Sequence, residues 1–298
     1  MSAPPTDKIT FSRRERVAGY VALTKPRIIE LLLVTTVPTM FVAERSVPSV
    51  WLMVATVVGG TLAAGGANAM NMVIDRDIDG LMERTMHRPL VRGVMSPRAA
   101  LTFAVVIEVV AFAWLFTTVN LLSALLAVSA TFFYVFVYTL WLKRTTTQNI
   151  VIGGAAGAVP VLVGWSAVTN SLGWAPVVLF LVIFFWTPPH FWALAIRYRE
   201  DYSAASVPML PAVATLAATA RKITLYTVML VGTTLVFAPV ADMGAVYVAA
   251  ALILGALFGV LALAVQRDPT ERAAMRLFSY SITYVTLLFA AMIVDVLV

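Results

Sequence analysis

No cysteine occurs anywhere in the 298-residue chain, which excludes disulfide staples, thiolate metal centres and cysteine nucleophiles. Charge is scarce too: Asp, Glu, Lys and Arg together make up 12% of the residues, and histidine occurs twice. A surface so poor in charge does not keep a protein of this size soluble. With 61% hydrophobic residues and a mean hydropathy of +0.91, water would drive the chain into aggregates, whereas lipid solvates it. A targeting segment is lacking as well, because Met1 to Arg16 is polar and charged, with no short apolar core before a cleavage site. These sixteen residues read as a polar cytoplasmic lead-in to one membrane-embedded domain over residues 1–298.

What the chain does have is a series of long apolar runs. Nine approach the length that spans a bilayer, near 28–44, 51–74, 99–118, 121–141, 149–168, 174–196, 223–241, 244–265 and 277–297. The expected fold is therefore an all-α, polytopic membrane protein with nine transmembrane helices. The sixth run contains Pro188-Pro189, which is expected to kink or break it. Every Lys and Arg except Arg45 falls in the N-terminal segment or in a loop after an even-numbered run. By the positive-inside rule those segments are cytoplasmic, and the C-terminus of this multi-pass cell-membrane protein lies outside. The net charge of +6 thus orients the protein and meets anionic headgroups, and gives no reason to expect nucleic acid. The opposite loops carry only Glu44, Arg45 and Asp242. A transporter builds gates on both sides of a midplane site. One chemically equipped face suits an enzyme whose polar substrate group arrives from the cytoplasm while its apolar part stays in lipid.

The second run ends in Asn71-Met-Val-Ile-Asp75-Arg-Asp-Ile-Asp79. Positions i, i+4 and i+8 of an α-helix turn by only about 80° in total, so Asn71, Asp75 and Asp79 share a stripe. Three oxygen donors at the lip of a membrane helix are costly to desolvate without a cation or a solvated cavity. Mg²⁺ takes such oxygens, keeps waters and shares substrate phosphates. The stripe reads as a metal and diphosphate site; the bland alternative is an acidic helix cap facing water. Asp77 points away from the stripe and is expected either to support its residues from behind or to be solvated.

Arg76 lies within this stretch and Arg84 and Arg88 beyond it, where Arg84 and Arg88 share a face if the segment is helical and Pro89 ends it; all three are candidate diphosphate ligands. Guanidinium forks suit diphosphate oxygens, and carboxylate-held cations beside them stabilise charge developing on a leaving group. Arginines in such a loop also serve as topology signals. Lys143 and Arg144, after the fourth run, read either as diphosphate ligands or as a surface anchor. Gly153, Gly154 and Gly157 are expected to permit close helix packing.

The sixth run ends Trp186-Thr-Pro-Pro-His190-Phe-Trp-Ala-Leu-Ala-Ile-Arg197-Tyr-Arg-Glu-Asp201-Tyr202. Arg197 and Asp201 are i, i+4 neighbours. Asp201 is a candidate second metal ligand facing the first stripe and Arg197 a candidate diphosphate ligand, with a surface ion pair as the alternative. His190 either contacts iron or relays a proton, or bonds a backbone carbonyl freed by the prolines. Glu30, three residues after Arg27, suggests a local pair, and Glu108 in the third run has no evident assignment.

Three blocks carry a resemblance to a known family: Thr24-Lys-Pro-Arg27-Ile-Ile-Glu30; the Asn71–Asp79 motif followed by Arg88-Pro-Leu; and Trp186-Thr-Pro-Pro-His190 through Asp201-Tyr, running on to Val207-Pro-Met-Leu-Pro211. From about residue 17 to 290 the chain resembles the UbiA superfamily of intramembrane prenyltransferases. Within it, the Trp-Thr-Pro-Pro-His block points to the protohaem IX farnesyltransferase (haem O synthase) branch. The resemblance implies nine helices around a central cavity and Mg²⁺ bridging a diphosphate to the acidic motif. It also implies transfer of a farnesyl group from farnesyl diphosphate to the vinyl group of haem B, with water addition giving haem O. It further implies passage of product to a haem A synthase or oxidase assembly proteins. Where many members carry a second Asp-x-x-x-Asp motif, this chain has Arg197 at the first position, so a symmetric two-motif metal site is not expected and Arg197 is expected to touch the diphosphate. Competing readings are a prenyltransferase acting on an aromatic quinone precursor and a cation-coupled transporter.

Overall fold

The structure, a computed structural model, describes residues 11–298, apart from the side chains of residues 27–33. The expected Arg27–Glu30 pair therefore lies outside the described residues. Every regular element among them is helical. In chain order these are α1 (Arg13–Leu23), α2 (Pro26–Glu44), α3 (Val50–Ile74), α4 (Arg76–Asp79), α5 (Pro97–Thr118) and α6 (Leu121–Phe132). Helix α6 runs on as a π-helix over Phe133–Leu142 and a final turn, α7 (Lys143–Thr145). Then come α8 (Asn149–Thr169), α9 (Trp174–Arg197), α10 (Arg199–Ala204), α11 (Leu210–Val213), α12 (Leu216–Val240), α13 (Ala245–Arg267) and α14 (Glu271–Leu297).

Among the described residues, eight helices are long and apolar enough to cross a membrane. The nineteen-residue α2 occupies the place of the expected first span. Two helices start earlier than their apolar runs. Thr215 caps α12 by accepting the Ala218 N–H at 3.2 Å, so Arg221 and Lys222 sit on its first turns rather than in a loop. Thr270 does the same for α14. Hydropathy marks where lipid begins, whereas a side-chain cap marks where the hydrogen-bonded spiral begins, a turn or two earlier.

Of the kink or break expected in helix α9, the break does not occur. The helix continues through Pro188 and Pro189. The two rings remove N–H donors, but α9 is packed on α8, α12 and α14, and neighbours of this kind hold a proline-bearing membrane helix together. At the α2–α8 crossing, a Cβ on Gly164 would stand 2.6 Å from the Thr36 carbonyl oxygen, so only glycine permits that approach.

The largest apolar cluster joins α8, α9, α12, α13 and α14 around Trp186, Trp192, Phe237, Phe258 and Tyr284. Large hydrophobic side chains such as Val109 and Ile253 stay exposed on the outside, as lipid-facing surface requires. The connections are unequal at the two ends. Residues 119–120, 170–173 and 241–244 make short turns, while 75–96 and 198–215 form long segments that carry α4, α10 and α11. Ile78 and Met82 from one long segment pack with Ala205 and Val207 from the other. Together they make a roof over one end of the bundle.

Candidate active site

Beneath that roof lies a cavity of about 380 Å³, within the usual size of a ligand site. Its roof end is polar and cationic, lined by Lys25, Asn68, Asn71, Arg84, Arg88 and Lys143. Toward the membrane interior it is apolar, with Ala63, Ala67, Ala127 and Val163 on its wall. Such a gradient suits a ligand with an anionic head and a hydrocarbon body.

Asn71, Asp75 and Asp79 do share a stripe. Asp75 N–H donates to the Asn71 carbonyl and Asp79 N–H to the Asp75 carbonyl, both at 2.9 Å, so the helical spacing survives the junction of α3 and α4. All three are buried, with Asp75 at 0% and Asp79 at 1% exposure, which rules out a cap facing water. The Asn71 amide donates to Asp75 Oδ2 at 2.7 Å and to Thr139 Oγ1 at 3.1 Å. Its carbonyl oxygen accepts from Lys25 Nζ at 2.8 Å. Lys143 Nζ pairs with Asp75 Oδ2, and one Arg88 nitrogen reaches both Asp79 oxygens, at 2.8 and 2.6 Å. The Thr85 hydroxyl holds the Asp79 carbonyl at 2.9 Å. Buried carboxylates need charged partners of this sort. Only Asn71 of the three faces the cavity directly; the two carboxylates lie behind the cations that line it.

The other predicted ligands divide. Arg84, Arg88 and Lys143 line the cavity. Arg84 and Arg88 lie in successive turns and not on a helix, because Arg88 N–H closes onto the Thr85 carbonyl at 3.0 Å. Arg76 is exposed. Arg144 turns outward, donating to Asp77 at 2.7 and 2.8 Å and to the Ile74 carbonyl at 3.2 Å. Asp77 thus points away from the stripe, as its place on the helix requires, and the Arg144 hydrogen bonds hold its carboxyl down at about 2. Arg144 also lies 3.7 Å from Asp75 Oδ1.

Arg197 and Asp201 are not where the sequence places them. The Arg197 side chain is 50% exposed and pairs with Glu271 at 3.4 Å, with its guanidinium 5.7 Å from the Tyr198 ring centre. It does not line the cavity. Helix α9 ends at Arg197, so the i, i+4 relation to Asp201 on the separate helix α10 is lost. Asp201 does approach the first motif's loop, where its Oδ2 accepts the Arg84 backbone N–H at 3.3 Å. It is a loop tie and stands outside the acidic stripe. His190 is buried between the rings of Trp186 and Phe278 and bonds Ser281, not a backbone carbonyl. Gly153 and Gly154 meet Tyr138 and Thr187 at 2.3 and 2.8 Å from an added Cβ, the expected close packing. Gly157 corrects the third: nothing lies within 4 Å, and it opens onto the cavity. Glu108 packs against Gly66, and neither carboxyl oxygen has a hydrogen-bond partner among the described residues.

Sequence reasoning missed Lys25, which it counted as a topology charge. The residue holds a left-handed backbone (φ 50°) ahead of Pro26, and burial first, then Arg88 and Lys143, push its amine down to about 7. It also missed the tyrosines. In a π-helix hydrogen bonds span five residues, and the Thr139 hydroxyl reaches the Tyr134 carbonyl at 2.8 Å. That winding lets Tyr134, Tyr138 and Thr139 all face the site, with the two rings stacked 5.4 Å apart. The only trace in the sequence is the aromatic run Phe132-Phe-Tyr-Val-Phe-Val-Tyr138.

The donor set fits a hard divalent cation. Asp75 Oδ1 is buried with no hydrogen bond, and an amide and two carboxylates at one-turn spacing offer only oxygen. Among the described residues no cluster of three His, Cys, Asp or Glu exists, so any such ion relies on water and substrate oxygens for the rest of its shell.

Comparison with known proteins decides the family. The family model described as UbiA prenyltransferase family matches residues 32–291. The chain belongs to the UbiA prenyltransferase family. It is similar to a curated protoheme IX farnesyltransferase of Parafrankia sp., 55% identical over 281 residues, covering 93% of this chain and 90% of the relative. Another, of Frankia casuarinae, is 56% identical and covers 95% and 99%. Among solved structures, that of a digeranylgeranylglyceryl phosphate synthase superposes with TM-score 0.77 at 16% identity, covering 95% of this chain and 99% of that one. A UbiA homolog from Archaeoglobus fulgidus bound to GPP and Mg2+ superposes with TM-score 0.67 at 15% identity, covering 92% and 99%.

Proposed function

We propose that this prenyltransferase moves the farnesyl group of farnesyl diphosphate onto a vinyl group of haem B, with addition of water, giving haem O and diphosphate. The observation that carries the reading is the cavity itself, cationic under the roof and apolar below, in a chain more than half identical to protoheme IX farnesyltransferases over nearly its whole length. Arg84, Arg88, Lys25 and Lys143 receive the diphosphate, whose negative charge grows as the C1–O bond breaks and the electron pair leaves with it. Asn71, Asp75 and Asp79 hold Mg²⁺, which when bound neutralises phosphate charge. The vinyl π pair of haem forms the new C–C bond to C1. The cation left beside the porphyrin takes a water oxygen, and a proton departs. Tyr134, Tyr138 and Trp186 keep bulk water from the allylic end before that bond forms. Arg197 guides anionic substrates at the roof edge, and the haem propionates share the cationic end.

The basic loops and the N-terminus face the cytoplasm of the cell membrane, and the product passes to enzymes that oxidise or install haem O. Membranes containing the protein, given haem B, farnesyl diphosphate and Mg²⁺, yield a more apolar haem and stoichiometric diphosphate. Prenylation of a benzoate or naphthoate in place of haem refutes the assignment. Because the chain has no cysteine, single replacements report orientation directly. Gln148→Cys reacts with an impermeant thiol reagent only from the cytoplasmic side and Ser171→Cys only from the other; the reverse pattern overturns the topology.

A further inference from the structure

His190 stands between two parallel rings. Trp186 is stacked on one face at 4.2 Å and 20°, and Phe278 on the other at 4.7 Å and 28°. The Trp186 indole N–H is tied to the Ser281 carbonyl at 2.8 Å, so the stack is braced between α9 and α14. With both faces covered, the imidazole presents only its edge.

The hydrogen bonds fix which edge is free. A serine hydroxyl carries one proton. Ser281 Oγ lies 2.6 Å from the Phe278 carbonyl oxygen and 2.6 Å from His190 Nδ1. A carbonyl only accepts, so the hydroxyl proton goes to Phe278, and two bare oxygens at that distance would otherwise repel. Nδ1 must then be the donor toward Ser281. In the neutral ring the other nitrogen, Nε2, is left with an in-plane lone pair, and it makes no hydrogen bond with any described residue. A histidine whose Nδ1–H is anchored while Nε2 is bare has the arrangement that metal-binding histidines show.

Position supports the same conclusion. On α9, Ile183, Trp186, Thr187 and Leu194 line the cavity. His190 lies seven, four and three residues after the first three and four before the last, at the centre of that stripe. His190 is not itself among the cavity-lining residues; its ring is held toward α14 and retains 9% exposure, with Phe191, a cavity-lining ring, perpendicular to it at 5.2 Å.

We infer that His190 Nε2 is an axial ligand to the iron of the haem substrate, with Ser281 as the positioning residue that sets its tautomer. The inference rests on the haem-farnesylating reading above. Its consequence is placement. The seven residues from His190 to Arg197, at 1.5 Å each, set the iron about 10 Å below the end of α9. The propionates then extend toward the cationic roof and the vinyl edge stays in the apolar part.

The test uses the full-length protein in detergent, titrated with haem B and read by absorption and electron paramagnetic resonance, with haem O formation measured on the same preparations. Wild type should give a nitrogen-ligated haem signature. His190→Ala should lose it and regain it on adding imidazole, and His190→Met should replace it with a thioether signature. Ser281→Ala should keep the ligand but bind haem about tenfold more weakly. Identical spectra and affinities for wild type, His190→Ala and His190→Met, while wild type still makes haem O, overturn the ligation and leave the farnesyl-transfer reading standing. Wild type that neither binds nor farnesylates haem removes both.

Discussion

The ion pair between Asp75 and Lys143 offers the sharpest energetic test of the site. The Asp75 carboxyl is fully sealed and Lys143 is 11% exposed. At an ordinary pair separation of about 3 Å and an effective dielectric constant of about 20, their attraction is about 5–6 kcal/mol, most of it offset by desolvation. Breaking the pair is another matter. Lys143→Met leaves a buried carboxylate whose remaining cation, Arg144 at 3.7 Å, is a third exposed and screened, so the expected loss is about 3–5 kcal/mol. Asp75→Asn releases an ammonium that, already 11% exposed, turns outward to water, at a cost of about 1–2 kcal/mol. With both changes no charge is stranded and the loss stays near that of Asp75→Asn alone, so the coupling equals the Lys143→Met loss, about 3–5 kcal/mol. Unfolding in mixed micelles, followed by tryptophan fluorescence for the four proteins of the cycle, measures it. A coupling within about 0.5 kcal/mol of zero would show that the carboxylate and the ammonium are held independently, and the picture of cations stationed over the acidic stripe would fail.

Asp79→Ala should lower turnover by at least about 100-fold while the protein still inserts and elutes as wild type does; wild-type turnover would remove the metal assignment. Gly153→Ala should force the Tyr138 ring, 2.3 Å from the new methyl, to move, costing about 1–3 kcal/mol and weakening substrate binding. Gly157→Ala, with open space around it, should leave thermal stability unchanged, and equal melting losses in the two variants would refute the packing argument. Arg88→Ala should raise the KM for farnesyl diphosphate by more than tenfold, whereas Arg197→Ala, half exposed and paired with Glu271, should change it less than threefold, about 0.7 kcal/mol. The opposite order in steady-state kinetics would restore Arg197 as a direct diphosphate ligand.

Most of the fold was legible because lipid imposes two strong rules on a sequence, an apolar run of fixed length and satisfaction of every backbone group within the span. The Asn71–Asp79 stripe was legible for a related reason. Polar oxygens at helical spacing within an apolar run cost too much to be incidental, and all three side chains are buried. What stayed hidden depends on tertiary packing. Periodicity taken through Arg197 and Asp201 assumes one continuous helix, and the chain turns at Tyr198. The prolines of α9 look like a break until three neighbouring helices are seen to hold it. Lys25 reads as one topology charge among many, because only the fold of the α1–α2 corner turns its amine onto Asn71.

The same arrangement explains why one end of the molecule carries nearly all the chemistry. A diphosphate is strongly hydrated and enters hydrocarbon only where fixed charges replace its water, whereas a prenyl chain gains by staying in lipid. A site for both must place its cations at the interface and its apolar wall below them. The long segments 75–96 and 198–215 close over that boundary through Ile78, Met82, Ala205 and Val207, with the Arg84 backbone tied to Asp201 at their meeting. The buried carboxylates beneath anchor cations that would otherwise turn outward to water, as Arg144 does toward Asp77. On the proposed reading, removing the acidic stripe disarms the diphosphate site in two ways, by losing the metal ligands and by releasing Lys143 and Arg88. Asp75→Asn should accordingly weaken binding of inorganic diphosphate even in the presence of a chelator. Unchanged metal-free affinity, measured by calorimetry, would confine the stripe to metal binding alone.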